Sequence, residues 1–221
     1  MFVGDYMTRH PVMVAPNTSI VELQGIMAEN NIRHVPVVEK GKRLVGLVTR
    51  QNLRISPTEL SSLNVWEITR FLSSLKVKDV MIRGKDVITA VPDMPIEEAA
   101  SILVMYHIGC LPVVEEGIVV GIITESDLLT QLTNLLGLQV PGWRATVRVP
   151  DRPGEFAKIT AAIASKGWGI DAAGSLPTPR KPGYWDVVIK ISAATRDELA
   201  AVLRQIEGQE LIDIRETGPC P

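Results

Sequence analysis

Cysteine is nearly missing from this chain. Only Cys110 and Cys220 occur among 221 residues, far apart in sequence, which excludes a disulfide framework and makes a reducing, cytoplasmic setting the expectation. Cys110 lies in an apolar context and reads as a small core residue. The formal net charge is −2 and no basic run occurs, so the electrostatic footprint of a nucleic-acid binder is absent. No apolar stretch reaches the ~18–20 residues that a membrane helix needs, and no signal peptide is visible. The three histidines, His10, His34 and His107, show no metal-ligand spacing with either cysteine. A strand-linked G-x-G-x-x-G, a Walker loop and a G-x-S-x-G elbow are all lacking. Catalysis has no support in these residues, and the expectation is a protein that is not an enzyme. The four tryptophans, Trp66, Trp143, Trp168 and Trp185, read as core or interface anchors. What remains is an ordinary globular composition, 46% apolar and 22% charged, long enough for two small cores.

The first positive feature is a duplication. Residues 3–54 open with VGDYM and residues 77–129 with VKDVM. Each copy continues with a short strand ending at Pro16 or Pro92, then an amphipathic helix ("SIVELQGIMAENNI", "PIEEAASILVMYHI"). Then come "RHVPVVEKGKRLVGLVTRQNL" and "GCLPVVEEGIVVGIITESDL", each a strand, a turn at Gly41 or Gly117, a second strand and a new helix. Met7 is equivalent to Met81, Pro36 to Pro112, Gly46 to Gly121, and Thr49 to Thr124. A repeat of ~50 residues buries too little surface alone, so two copies are expected to share a core and to form related clefts between them. Ser56-Pro57-Thr58-Glu59 reads as a helix start, with a connecting helix over 58–76.

The second copy ends in Gly121-Ile122-Ile123-Thr124-Glu125-Ser126-Asp127. Thr-x-x-Asp ahead of an apolar helix is a capping box. The same strand-to-helix junction leaves backbone N–H groups that attract phosphate, and the Asp127 carboxylate suits the donor hydroxyls of a ribose. Both readings stand on these residues. The first copy has Asn52 in place of the acid, and Arg33-His34 where the second has Gly109-Cys110.

Beyond a linker at 137–142, marked by Gly137, Pro141 and Gly142, the pattern changes. Residues 143–217 read as β-α-β-β-α-β, the ferredoxin-like unit, with Thr195 and Glu198 forming a capping box at the second helix.

The repeated "VKDVM", "LPVV" and G-hydrophobic-hydrophobic-T-x-x-D motifs resemble a CBS domain pair, or Bateman module, with repeats at 1–57 and 77–136. The strand–"DRPGEF"–helix passage and "GIDA" resemble an ACT domain over 143–217. This order is similar to that of the AcuB-type acetoin-utilisation proteins. The resemblance implies an α+β fold: tandem β-α-β-β-α repeats packed as a pair, plus a ferredoxin-like domain.

It also implies a non-catalytic sensor holding an adenosine-containing ligand: AMP, ADP, ATP, NADH or S-adenosylmethionine. By the family pattern Asp127 takes the ribose, Thr124 the phosphate and Thr89 the base pocket, with Arg33, His34, Thr49 and Asn52 around the related cleft. Because Asn lacks the charge, the better site is expected at Asp127 and a weaker or empty one near Asn52. In the ACT part the residues implied for an amino acid are Asp151, Arg152, Pro153, Gly154 and Glu155. Asp171 stands where the family carries Asn; its carboxylate suits an ammonium group but repels a carboxylate. Both modules self-associate, which implies a homodimer acting on a regulated protein, with no nucleic acid or membrane. The alternative is a structural protein whose two parts only dimerise and bind no ligand.

Overall fold

The computed structural model describes residues 1–53 and 74–219, and most of the connecting helix expected at 58–76 lies outside them. The chain divides into two compact units, Met1–Leu128 and Leu129–Pro221.

In the first unit, α1 (Val3–Tyr6) and β1 (Thr8–Arg9) precede α2 (Ile20–Glu29), β2 (His34–Glu39) and β3 (Arg43–Thr49). The second copy repeats the order as α3 (Val77–Val80), β4 (Ile82–Arg83), α4 (Ile96–Tyr106), β5 (Cys110–Glu115) and β6 (Ile118–Thr124). Strand β6 runs straight into α5 (Glu125–Leu135). Ser19 caps α2 by accepting the Glu22 N–H at 3.2 Å. The β2–β3 and β5–β6 hairpins turn at Gly41 and Gly117, whose φ values of 71° and 81° favour glycine. The short strands expected before Pro16 and Pro92 contract to single parallel bridges, Val14 with Val37 and Ala90 with Val113. Each is followed two residues later by a proline, which has no N–H to extend the ladder.

The two copies trade their leading segments. β1 pairs with β6, Thr8 opposite Ile122, whereas β4 pairs with β3, Ile82 opposite Leu47. Val3 and Met7 are accordingly buried among Ala99, Leu103, Leu111 and Ile123 of the second copy, and Val77 among Ile20, Leu23, Val35 and Val48 of the first. Each exchange is seated on a glycine. A Cβ at Gly46 would stand 2.6 Å from Met81 Sδ and 2.7 Å from the Ile82 carbonyl oxygen, and one at Gly121 would run into Met7 Sδ. Space, not backbone torsion, dictates glycine at both positions.

The second unit follows the order β7 (Gly142–Pro150), α6 (Glu155–Ala164), β8 (Ala172–Pro177), β9 (Tyr184–Ile191), α7 (Arg196–Arg204), β10 (Glu210–Thr217). Its antiparallel sheet has the order β10-β7-β9-β8. Ala145, Val147 and Val149 of β7 and Val187, Ile189 and Ile191 of β9 alternate toward Ile159 and Ile163 of α6 and Leu199 and Leu203 of α7. Trp143, Trp168 and Trp185 pack against this core; Trp66 lies outside the described residues. The Thr195 box forms: its N–H donates to Glu198 Oε2 at 3.0 Å, and the Glu198 N–H donates to Thr195 Oγ1 at 3.4 Å. On the opposite sheet face, Arg148 donates to both Asp186 oxygens at 2.8 and 3.1 Å. Lys190 there is 1% exposed and donates to the Thr217 carbonyl at 2.9 Å.

Candidate functional site

The T-x-x-N and T-x-x-D motifs at the ends of β3 and β6 both close on themselves. Asp127 Oδ2 accepts the Thr124 backbone N–H and hydroxyl, each at 2.8 Å, and the Asp127 N–H returns to Thr124 Oγ1 at 3.4 Å. Asn52 Oδ1 accepts the equivalent Thr49 groups at 2.9 and 2.8 Å. The capping reading is therefore realised at Thr124–Asp127 ahead of α5, and at Thr49–Asn52 the same side-chain bonds close a turn. Each threonine spends its one hydroxyl proton inside its own box and offers a ligand only lone pairs. A phosphate contact by the Thr124 hydroxyl as donor would have to break that bond. The copies differ in the atom left over: Asp127 keeps Oδ1, an acceptor, while Asn52 keeps Nδ2, a donor.

Among the described residues, a cleft of about 1390 Å³ opens between the copies at the first box. Thr49, Arg50 and Asn52 reach it from the end of β3, and Arg33 and His34 from the start of β2. Across from them the second copy supplies Val87, Ile88, Ile108, Gly109, Cys110 and Glu125. Arg33, His34, Thr49 and Asn52 are thus brought together, whereas Thr89, Thr124 and Asp127 are not on this wall. The better site had been expected at Asp127; the open volume instead lies beside Asn52. Small residues at the second-copy corner make the room. A Cβ at Gly109 would sit 3.0 Å from His34 Nε2, so the imidazole occupies space that a side chain at 109 would need.

Burial lowers the His34 pKa below 6.5; Glu125 opposes this and Arg33 adds to it. Burial, then Glu125, pushes the Cys110 thiol up to about 12, which keeps it protonated and unreactive near neutral pH. Arg33 and Arg50 are exposed and form no ion pair among the described residues. Leu47, Ile82, Val87, Ile88 and Ile108 give the cleft an apolar wall. A flat apolar ring and a polar, anionic tail both find complementary surface here. Arg50, Glu125 and the apolar Ile82 were not singled out from sequence, although the first two lie inside the T-x-x-N/D motif itself.

In the second unit, Gly154 has φ 91° and opens α6 as its turn demands. Glu155, 3% exposed, is already engaged. It accepts from Arg152 at 2.6 Å, Lys158 at 2.9 Å and Gln209 Nε2 at 2.9 Å. The Gln209 amide, then Lys158 and Arg152, hold its pKa down to about 2. Its carboxylate ties the helix start to Gln209. Nor does Asp171 join the 151–155 turn within one chain. The Asp151 N–H donates to the Gly183 carbonyl before the start of β9, whereas Asp171 accepts the Ser192 N–H beyond its end. The length of β9 separates them by about 23 Å at ~3.3 Å per residue.

Among the described residues, no group of three or more His, Cys, Asp or Glu side chains is placed to hold a metal ion, and no helix is long and apolar enough to cross a membrane. Residues 3–56 and 77–134 match the CBS domain family. MJ1225 of Methanocaldococcus jannaschii is 34% identical over 134 residues, covering 58% of this chain and 45% of that protein. The chain spans less than half the length of the first curated relatives it matches, some of which are enzymes carrying the shared region as one part, such as L-aspartate semialdehyde sulfurtransferase. A Vibrio cholerae protein described as an acetoin utilization protein (AcuB) superposes with a TM-score of 0.52 at 35% identity, covering 62% of this chain and 94% of that one. CBSX2 of Arabidopsis thaliana, solved in complex with AMP, shares the fold with a TM-score of 0.51 at 24% identity, over 60% of this chain and 97% of that one.

Proposed function

The chain belongs to the CBS domain family, and from that premise we propose that it is a non-catalytic, cytoplasmic regulatory protein that holds an adenosine-containing ligand between its two CBS copies. The cleft at Arg33, His34, Thr49 and Asn52 carries this reading, because it sets hydrogen-bonding and cationic groups against an apolar wall. At about 1390 Å³ it exceeds the ~300–1,000 Å³ of ordinary small-molecule pockets, which leaves room for a base, a sugar and more than one phosphate. The likeness to AcuB supports a place among acetoin-utilisation regulators. Ligand shifts the population of two arrangements and so alters a protein partner; such coupling is typically about 1–3 kcal/mol and reciprocal.

The β-α-β-β-α-β order and the Gly154 turn support an ACT assignment for the second unit. With Glu155 engaged and Asp171 distant, its role is assembly in preference to capture of an amino acid by one chain. Self-association into a homodimer is supported in the first unit by Val104, Met105 and Tyr106 on α4, which are 73, 68 and 55% exposed.

Mass spectrometry of small molecules retained on the purified protein is the direct test, followed by thermal unfolding with AMP, ADP, ATP, NADH and S-adenosylmethionine. Ligand at 100 times its Kd stabilises by about 2.7 kcal/mol. Absence of any shift across the panel replaces sensing by the purely dimerising role.

A further inference from the structure

The hairpin tips of the two copies meet. Arg43 at the start of β3 pairs with Ile118 at the start of β6, and the Leu44 N–H donates to the Gly117 carbonyl at 3.0 Å. A Cβ at Gly117 would lie 3.4 Å from Arg43 Nη1. Equivalent in the duplication, the two tips are opposite in charge. The first carries Lys40, Lys42 and Arg43 against the single acid Glu39. The second carries Glu115 and Glu116, with Asp93 beside them. All these side chains are exposed, and none of them forms an ion pair among the described residues. A groove of about 780 Å³ lies on the acidic side, where Val91, Val114, Ile118 and Val120 line it together with the three acids. Val91 and Ile118 remain 44 and 40% exposed. An apolar trough edged by carboxylates suits a lysine, whose methylene stem covers apolar surface while its ammonium stays at the edge. The first tip offers two such lysines, one on each side of Gly41.

We propose that the paired hairpin tips form an interface for a second copy of this chain, each copy laying its Lys40 and Lys42 into the acidic groove of the other. A patch whose basic and acidic halves adjoin is self-complementary under a two-fold axis along their boundary, because the rotation sets each half on its opposite. That axis runs through the Arg43–Ile118 junction. Every cross-copy contact then occurs twice. The interface is separate from the exposed face of α4 and rests neither on that contact nor on the adenosine reading. Built from surface charges around a small apolar centre, it weakens as salt rises.

Sedimentation of the full chain at about 50 mM and about 500 mM salt, between which the reach of a surface charge falls from roughly 14 to roughly 4 Å, tests this with two charge-reversed variants. Glu115→Lys/Glu116→Lys makes the patch predominantly basic, and Lys40→Glu/Lys42→Glu makes it predominantly acidic. All four positions are exposed and already hold non-glycine residues, and circular dichroism checks that the folds persist. Each variant alone is expected to lose the salt-sensitive association, its dissociation constant rising about 10-fold or more. An equimolar mixture of the two regains it, because a basic patch then meets an acidic one. Association of either variant alone at the unaltered strength, or no recovery in the mixture, overturns the proposal. So does an unaltered chain that associates equally at both salt concentrations, or not at all. Met105→Lys on α4 leaves the salt-sensitive association in place; its loss there assigns self-association to α4 and overturns the hairpin interface.

Discussion

His34 begins β2 opposite Thr49 and lies against Gly109. Its folded pKa lies below the ordinary 6.5 chiefly through burial, with Glu125 acting against the shift and Arg33 with it. A group with that sign binds fewer protons when folded, so its stabilising effect is present above pH 6.5 and is lost as pH falls from there through the folded value. Urea unfolding between about pH 7.5 and about pH 5 is expected to show the loss, and His34→Asn to flatten that part of the profile. The same slope in the variant would mean that another group titrates. Glu155 acts lower on the scale: its pKa falls from 4.5 to about 2. Its contribution is full above 4.5 and disappears toward 2, so Glu155→Gln should remove stability at neutral pH and reduce acid sensitivity in that window. Near-ultraviolet circular dichroism during acid titration checks it. At this scale the Thr124 box was readable in advance, because a cap is made by neighbours three residues apart. Which motif opens onto a cleft was not, since that depends on Gly109 and Cys110 meeting His34 and Leu47, 75 and 63 positions earlier.

Among elements, the exchange of leading segments has the sharpest consequences. Gly121→Ala forces a methyl group onto Met7, and overpacking of this kind costs about 1–3 kcal/mol. Gly46→Ala should do the same against Met81, and urea midpoints measure both. Thr195→Ala removes the cap of α7 for about 1 kcal/mol, and helix content at intermediate urea is the readout. The hairpins, the amphipathic helices and the order of the second unit were legible because each is written in a local period. The exchange was not. Yet Met7 with Met81 and Gly46 with Gly121 were already aligned as equivalent pairs, and reading them across the copies instead of along them is the step that joins methionine to glycine.

For the whole molecule, two compact units predict two unfolding transitions, of which a nucleotide raises only that of residues 1–128. Calorimetric scans with and without AMP distinguish this from a single merged transition that moves as one. The reciprocal exchange also fixes an order of events during synthesis. When the ribosome has made the first repeat, its sheet still lacks β4, and its own β1 has no partner until β6 emerges. The nascent first half thus leaves Val3 and Met7 uncovered until the second copy follows it out of the ribosome, and a chaperone that shields such surface has its longest opportunity there.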